Sequence, residues 1–197
     1  MIAADPALPG AFCWTRFGVE AGEPVEHILA RKERERHLAG GVFLWGVGSP
    51  VGTALRVLAH LHPHPEVLFS PIGGSPQLHD RRPESVVRWL AAEDPDGVPF
   101  PLPVGAVVTS RVTLRSRRYA LVCYREEPLR LDLGGPRLCR EGLRNLLSGA
   151  PVGSSQVTAV VIRDPGWAGP ADRGYPVALR AQLVPPYLVR LRDPTPI

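Results

Sequence analysis

Three ionic side chains stand within one helical turn of each other: Lys32, Glu35 and Arg36. At about 100° per residue, Lys32 and Arg36 fall inside the apolar stripe set by Val25, Ile28, Leu29 and Ala39, whereas His27, Arg31 and Arg34 point away. Burying an unpaired ammonium or guanidinium costs several kcal/mol, so these cations require a carboxylate or an anionic ligand. Glu35 flanks the stripe one turn from Lys32 and supplies half of that compensation. The chemistry implied is anion binding in a cleft, or acid/base work by Glu35 with Lys32 or Arg36 stabilising negative charge. The plainer alternative is a helix end that leaves the core with its long side chains snorkelling to water.

A second candidate is Gly149-Ala150-Pro151-Val152-Gly153-Ser154-Ser155-Gln156. Backbone amides with the Ser154 and Ser155 hydroxyls can cradle phosphate, and Gln156 can bond a base edge. The loop lacks the lysine and following helix of a Walker-type site, and an ordinary turn has the same composition. The third is a run of arginines, Arg111, Arg115, Arg117 and Arg118, joined elsewhere by Arg81 and Arg82. On a β-ribbon such residues make sequence-independent phosphate contacts; on a bare hairpin tip they are only a solvated charge run.

Other reactive residue types are less organised. His60, His62 and His64 alternate, but Pro63 and Pro65 interrupt them, so no metal site is assigned. His79-Asp80 are neighbours that seldom face each other, and Asp80 enters only as an acid/base alternative to Glu35. Cys13, Cys123 and Cys139 show no CxxC spacing, which argues against zinc or a disulfide framework and for a reducing compartment.

These groups must be held by the elements around them. The best helix runs from Pro24, tolerated at a first helical position, to the Gly40-Gly41 stop. Around that stop, Gly40-Gly41-Val42-Phe43-Leu44-Trp45-Gly46-Val47-Gly48-Ser49-Pro50 reads as a buried strand between tight turns, with Trp45 able to wall a pocket beside the bare backbone of Gly46. Phe12-Cys13-Trp14-Thr15-Arg16-Phe17 reads as a first strand with Phe12, Trp14 and Arg16 on one face. Thr53 to Leu61 reads as a helix and Val67 to Ser70 as a strand. Ser85 to Ala92 fits either period and is taken as strand. Val104 to Leu114 and Tyr119 to Tyr124 are read as a hairpin whose tip is Arg115-Ser116-Arg117-Arg118. Leu129 to Leu133 reads as a strand and Glu141 to Ser148 as a helix. Val157 to Arg163, Pro176 to Val184 and Tyr187 to Leu191 complete the strands.

The sum is an α+β domain, a curved mixed sheet or small β-barrel with flanking helices, over 11–197, behind a loose leader at 1–10. The 197 residues suit one domain, and the 23 prolines and 20 glycines, spread between apolar runs, favour short elements and tight turns. A net charge of +4 leans toward an anionic partner. Nearly all of it is arginine, with Lys32 the only lysine. No window approaches the roughly 18 apolar residues of a membrane span, and a cytoplasmic location without membrane contact is the expectation.

An aromatic first strand (Phe12-Cys13-Trp14), a helix, then Phe43-Leu44-Trp45-Gly46-Val47-Gly48 and a run of short strands resembles the PUA-like superfamily, particularly its EVE and ASCH branches. The chain is similarly close to uncharacterised domains found near nucleic-acid modification genes. The resemblance covers most of the chain, although the helix over Thr53 to Leu61 stands outside its pattern. Such domains are small β-barrels that bind RNA or modified DNA bases, some in an aromatic-walled pocket. It implies that Trp14, Trp45 and Trp89 hold a base, flipped or single-stranded. The resulting expectation is a nucleic-acid or nucleotide binding module without a cofactor. Its alternatives are an enzyme acting on nucleotides or nucleic acid through the Lys32, Glu35 and Arg36 cleft, and a protein-interaction domain whose arginines meet an acidic partner.

Overall fold

The computed structural model describes residues 8–18, 24–48, 50–72, 86–103, 106–109, 118–169 and 173–196. Among these residues a mixed sheet of ten strands forms the body, with two helices packed on it. In chain order come β1 (Ala11–Phe17), α1 (Val25–Leu38), β2 (Val42–Val47), α2 (Gly52–Leu61), β3 (Glu66–Pro71), β4 (Val86–Glu93), β5 (Pro99–Phe100), β6 (Val107–Thr109) and β7 (Arg118–Tyr124). These are followed by β8 (Arg137–Leu138), β9 (Leu143–Asn145), β10 (Thr158–Arg163), β11 (Tyr175–Pro176) and β12 (Leu179–Pro196). The main order is β2-β7-β12-β3-β1-β10-β9, with β4 on β12 and β5 and β6 on β4; β8 and β11 pair separately.

The expectation of a mixed α+β sheet therefore holds, but its barrel alternative is corrected. The sheet ends on β2 at one side and β9 at the other, and these strands do not pair. Period-two alternation then sorts the side chains. Cys13, Trp45, Phe69, Leu121 and Cys123 face one way, into the core capped by Ile28 and Leu29 of α1 and Leu55 and Leu58 of α2. Phe12, Trp14 and Leu68 face the other way into a second cluster, and Leu44, Trp89, Ala120 and Val122 into a third. β1 is buried along its whole length because it lies inside the sheet, parallel to β3 and antiparallel to β10.

Several element assignments change. The two strands expected from Pro176 to Leu191 are one strand, β12, whose register with β7 shifts between Leu183 and Leu188. Pro185 and Pro186 lack the N–H that the ladder needs, so the chain bulges there and resumes pairing instead of ending. Leu129 to Leu133 forms no strand. Glu141 to Ser148 is not a helix but a 3₁₀ turn, Arg140–Gly142, running into β9. Gly142 lies so close to the Trp167 ring that a Cβ would come within 2.8 Å, and Leu143 pairs with Arg163 across β10. Tertiary pairing thus outcompetes the helical spacing of Leu143, Leu146 and Leu147. Of the expected hairpin, residues 104–105 and 110–117 lie outside the described residues; where it is described, β6 bonds to β4, while β7 bonds to β12 and β2. Helix α2 and strand β4 match their expectations.

Candidate functional site

Helix α1 delivers its ionic residues to the sheet edge. The chain turns out of α1 through Gly40 and Gly41, both at positive φ, and Gly41 N donates to Arg36 O at 2.8 Å. A Cβ at Gly41 would stand 2.6 Å from the Tyr124 ring, so only glycine lets β2 begin this close to β7. The tight exit holds the last turns of α1 against β2. Lys32 and Glu35 are 3% and 2% exposed, and Lys32 Nζ donates to Glu35 Oε2 at 2.8 Å. Glu35 Oε1 accepts the backbone N–H of Leu44 at 2.6 Å. That N–H belongs to β2, the last strand of the sheet path, so the carboxylate satisfies one donor of the exposed sheet edge. Burial pushes the Lys32 ammonium below its ordinary pKa, and the Glu35 charge opposes that shift.

Arg36 forms a second clamp. Its Nε and Nη2 donate to Glu33 Oε2 and Oε1 at 2.8 and 2.9 Å, and its Nη1 donates to Glu126 O at 2.8 Å. Glu33 Oε2 also accepts from Leu129 N at 2.8 Å. This bidentate pair ties α1 to the segment after β7. The hydrogen bonds from Arg36 hold the Glu33 carboxyl below the usual carboxylate range, and those to Glu33 raise the Arg36 pKa. The buried cations thus have compensating partners within the chain. Trp45, 7% exposed, packs edge-on against Phe69 and Phe17 at 4.8 and 5.8 Å between ring centroids, which leaves it no open face for a base.

Trp14 sits across the sheet from Trp45, fully buried, with Nε1 donating to Ser70 Oγ at 3.0 Å. The structure joins it to the glycine-bounded loop through Arg16, a residue the sequence placed on that face without assigning it a role. Arg16 Nη2 donates to Ser154 O and Gln156 O at 2.7 and 2.8 Å. Its guanidinium carbon lies 5.5 Å from the Trp14 ring centroid and 5.4 Å from that of Tyr175. Gln156 Nε2 donates to Asn145 Oδ1 at 2.8 Å, and Ser154 and Ser155 are exposed. Trp14, Ser154 and Gln156 are therefore linked into one assembly, and Lys32, Glu35, Arg36, Trp45 and Gly46 lie in or near another; the sheet separates Trp14 from Trp45.

Asp80, Arg81, Arg82, Arg111, Arg115 and Arg117 lie outside the described residues, as does the His79-Asp80 pair; Arg118 opens β7. Among the described residues, no three His, Cys, Asp or Glu side chains gather to hold a metal ion. Burial raises the Cys13 thiol to about 12 and the Cys123 thiol well above its ordinary value, leaving both as inert core residues.

A concavity lies just beyond the end of β2. A cleft of about 480 Å³ is bounded by the start of α2 at Gly52 and Thr53, by Arg56, by Tyr119 on β7, by Arg190 on β12 and by the turn Glu93 to Gly97. Helix α2 carries no acidic residue in its first turn and no side-chain cap, so its leading amides retain their partial positive charge. Arg190 and Arg192 share the Glu93 carboxylate, Arg192 at 3.2 Å. Arg56 has no ion-pair or hydrogen-bond partner among the described residues. Asp94 Oδ1 closes the far turn by accepting from Asp96 N and Val98 N at 2.9 and 2.8 Å. The lining thus mixes Arg56 and Arg190 with the carboxylates Glu93, Asp94 and Asp96 and the Tyr119 ring. Sequence reasoning reached the glycine turn that opens this cleft but missed Thr53, Arg56, Tyr119 and Arg190. Their only sequence signal was an uncapped, acid-free helix start after the glycine turn.

Comparison with known proteins returns no matching family model, no matching curated protein and no matching solved structure.

Proposed function

We propose that the chain is a nucleotide or nucleic-acid binding module whose phosphate-binding point is the cleft between α2 and β12. The observation that carries this reading is Arg56, a cation with no ion-pair partner among the described residues, on the wall of a 480 Å³ cavity that also presents Thr53, Arg190 paired with Glu93, and the carboxylates Asp94 and Asp96. The volume falls in the range of small-ligand sites. An anionic phosphate suits Arg56, and the Asp94 and Asp96 carboxylates accept hydrogen bonds from amino or imino groups of a base. This mixed polarity fits a nucleotide better than a bare phosphate. The reading keeps the ligand class implied by the PUA-like resemblance but moves the contact away from Trp14 and Trp45, which pack into the interior. An enzymatic reading through Lys32, Glu35 and Arg36 loses ground because those side chains are spent on the fold.

The test is titration of the full chain with the four ribonucleoside monophosphates by calorimetry at low salt. A charge-assisted hydrogen bond contributes about 1.5–3 kcal/mol, so Arg56→Ala should weaken binding about 10- to 100-fold. Binding should also fall as salt rises. An Arg56→Ala protein that binds as tightly as the parent overturns the proposal, as does no binding by the parent.

A further inference from the structure

We infer that the cleft takes a guanine nucleotide and reads its base through the Asp96 carboxylate; this rests on the reading above. The polar groups of the lining are unequally engaged. Glu93 holds Arg190 and Arg192. Asp94 Oδ1 accepts from Asp96 N and Val98 N, which fixes the turn. Asp96 contributes its backbone to that turn, but its carboxylate has no hydrogen-bond or ion-pair partner among the described residues, and it lines the cleft as an exposed side chain. A ligand reaching the turn therefore meets an ionised carboxylate with both oxygens open to it.

An ionised carboxylate accepts hydrogen bonds and donates none. The four bases differ in what their Watson–Crick edges offer such a group. Guanine presents two adjacent donors, N1–H and the N2 amino group, which meet the two oxygens of one carboxylate in parallel, the same fork geometry that an arginine gives. Adenine and cytosine present one amino group beside a ring nitrogen that is itself an acceptor, and uracil presents one imino N–H between two carbonyls. In those bases a lone pair faces one of the oxygens. The phosphate is met from another element: Arg56 stands on α2, whereas Asp96 belongs to the turn between β4 and β5. A nucleotide likewise carries its negative charge and its base donors at opposite ends. A bare phosphate would gain Arg56 but share the cleft with Glu93, Asp94 and Asp96. Because Asp96 is exposed, discrimination should fall at the low end for a bidentate base contact, about 5- to 10-fold.

The experiment is calorimetric titration of the full chain, and of Asp96→Asn, with GMP, AMP, CMP, UMP and inosine monophosphate, which lacks the N2 amino group. GMP should bind at least about 5-fold more tightly than each of the others. Asp96→Asn, which replaces one acceptor by a donor, should lower the GMP-to-AMP affinity ratio by about the same factor, at least about 5-fold. That ratio is internal to one protein, so a loss of folded material does not imitate it. Equal binding of all five, another base bound tightest, or a ratio untouched by Asp96→Asn overturns the guanine inference while leaving the nucleotide site standing. Absence of binding of every nucleotide by the parent removes both.

Discussion

Glu35 is the residue whose removal the structure judges most severely. Its carboxylate is 2% exposed and serves two buried donors, Lys32 Nζ at 2.8 Å and Leu44 N at 2.6 Å. Glu35→Gln retains an oxygen for Leu44 but leaves the Lys32 ammonium facing a neutral amide. Breaking a buried pair by removing one partner costs about 3–5 kcal/mol, a large part of the 5–15 kcal/mol typical of a folded domain. With a urea slope of about 2 kcal/mol per molar, the unfolding midpoint should fall by about 2 M. Lys32→Met strands the opposite charge and should cost a similar amount. The double variant Lys32→Met/Glu35→Gln removes both charges while keeping the acceptor for Leu44 N, so it should return to within about 1–2 kcal/mol of the parent. Urea unfolding of the four proteins gives the coupling directly. The linkage has a definite sign: burial holds Lys32 below the roughly 10.4 of an unfolded lysine, so stability rises as pH climbs through that interval. The Glu35→Gln deficit should accordingly be greatest near neutrality and narrow toward pH 10. Single variants costing under about 1 kcal/mol with no coupling would refute the reasoning, because that is the behaviour of an exposed pair.

Two further outcomes follow from the same packing. Glu33 is held below the usual carboxylate range by Arg36, so its contribution is complete above about pH 4.3 and is lost as pH falls through its depressed folded value; the stability gap between the parent and Glu33→Gln, followed by urea midpoints from pH 7 to pH 3, should shrink only at the acid end. Cys13, raised to about 12, and Cys123 should resist alkylation at pH 8 in the native protein and react once it is unfolded, as peptide mapping by mass spectrometry would read.

Much of this arrangement can be read from the residues. The inward position of Lys32 and Arg36 follows from helical spacing, and the demand for counter-charge follows from the cost of burial. Glu35 answers that demand where spacing placed it. Glu33 stands at i,i+3 from Arg36 and is legible as its partner, yet sequence reasoning missed it; its bond to Leu129 N is not legible, because that segment lies far along the chain. Arg16 is similar: its strand face is legible, but Ser154 and Gln156 lie far along the chain and reach it only through the β1–β10 pairing. The indole of Trp45 suggested a pocket wall, yet period-two alternation in β2 sends it into the core with Phe69. The cleft lies one turn later, where sheet pairing brings Tyr119 and Arg190 to the start of α2. Pairing partners are a property of the whole sheet, and for the same reason β12 runs on past a proline pair that locally reads as a stop.

The most direct test of the central claim is an NMR titration of the isotopically labelled chain with the mononucleotide that binds most tightly, following backbone amides and tryptophan indole N–H signals together. The account predicts that shifts concentrate at Gly52, Thr53, Arg56, Tyr119 and Arg190, while the indoles of Trp14 and Trp45 stay in place. Shifts centred on Trp14 or Trp45 with Thr53 and Tyr119 unmoved would contradict it.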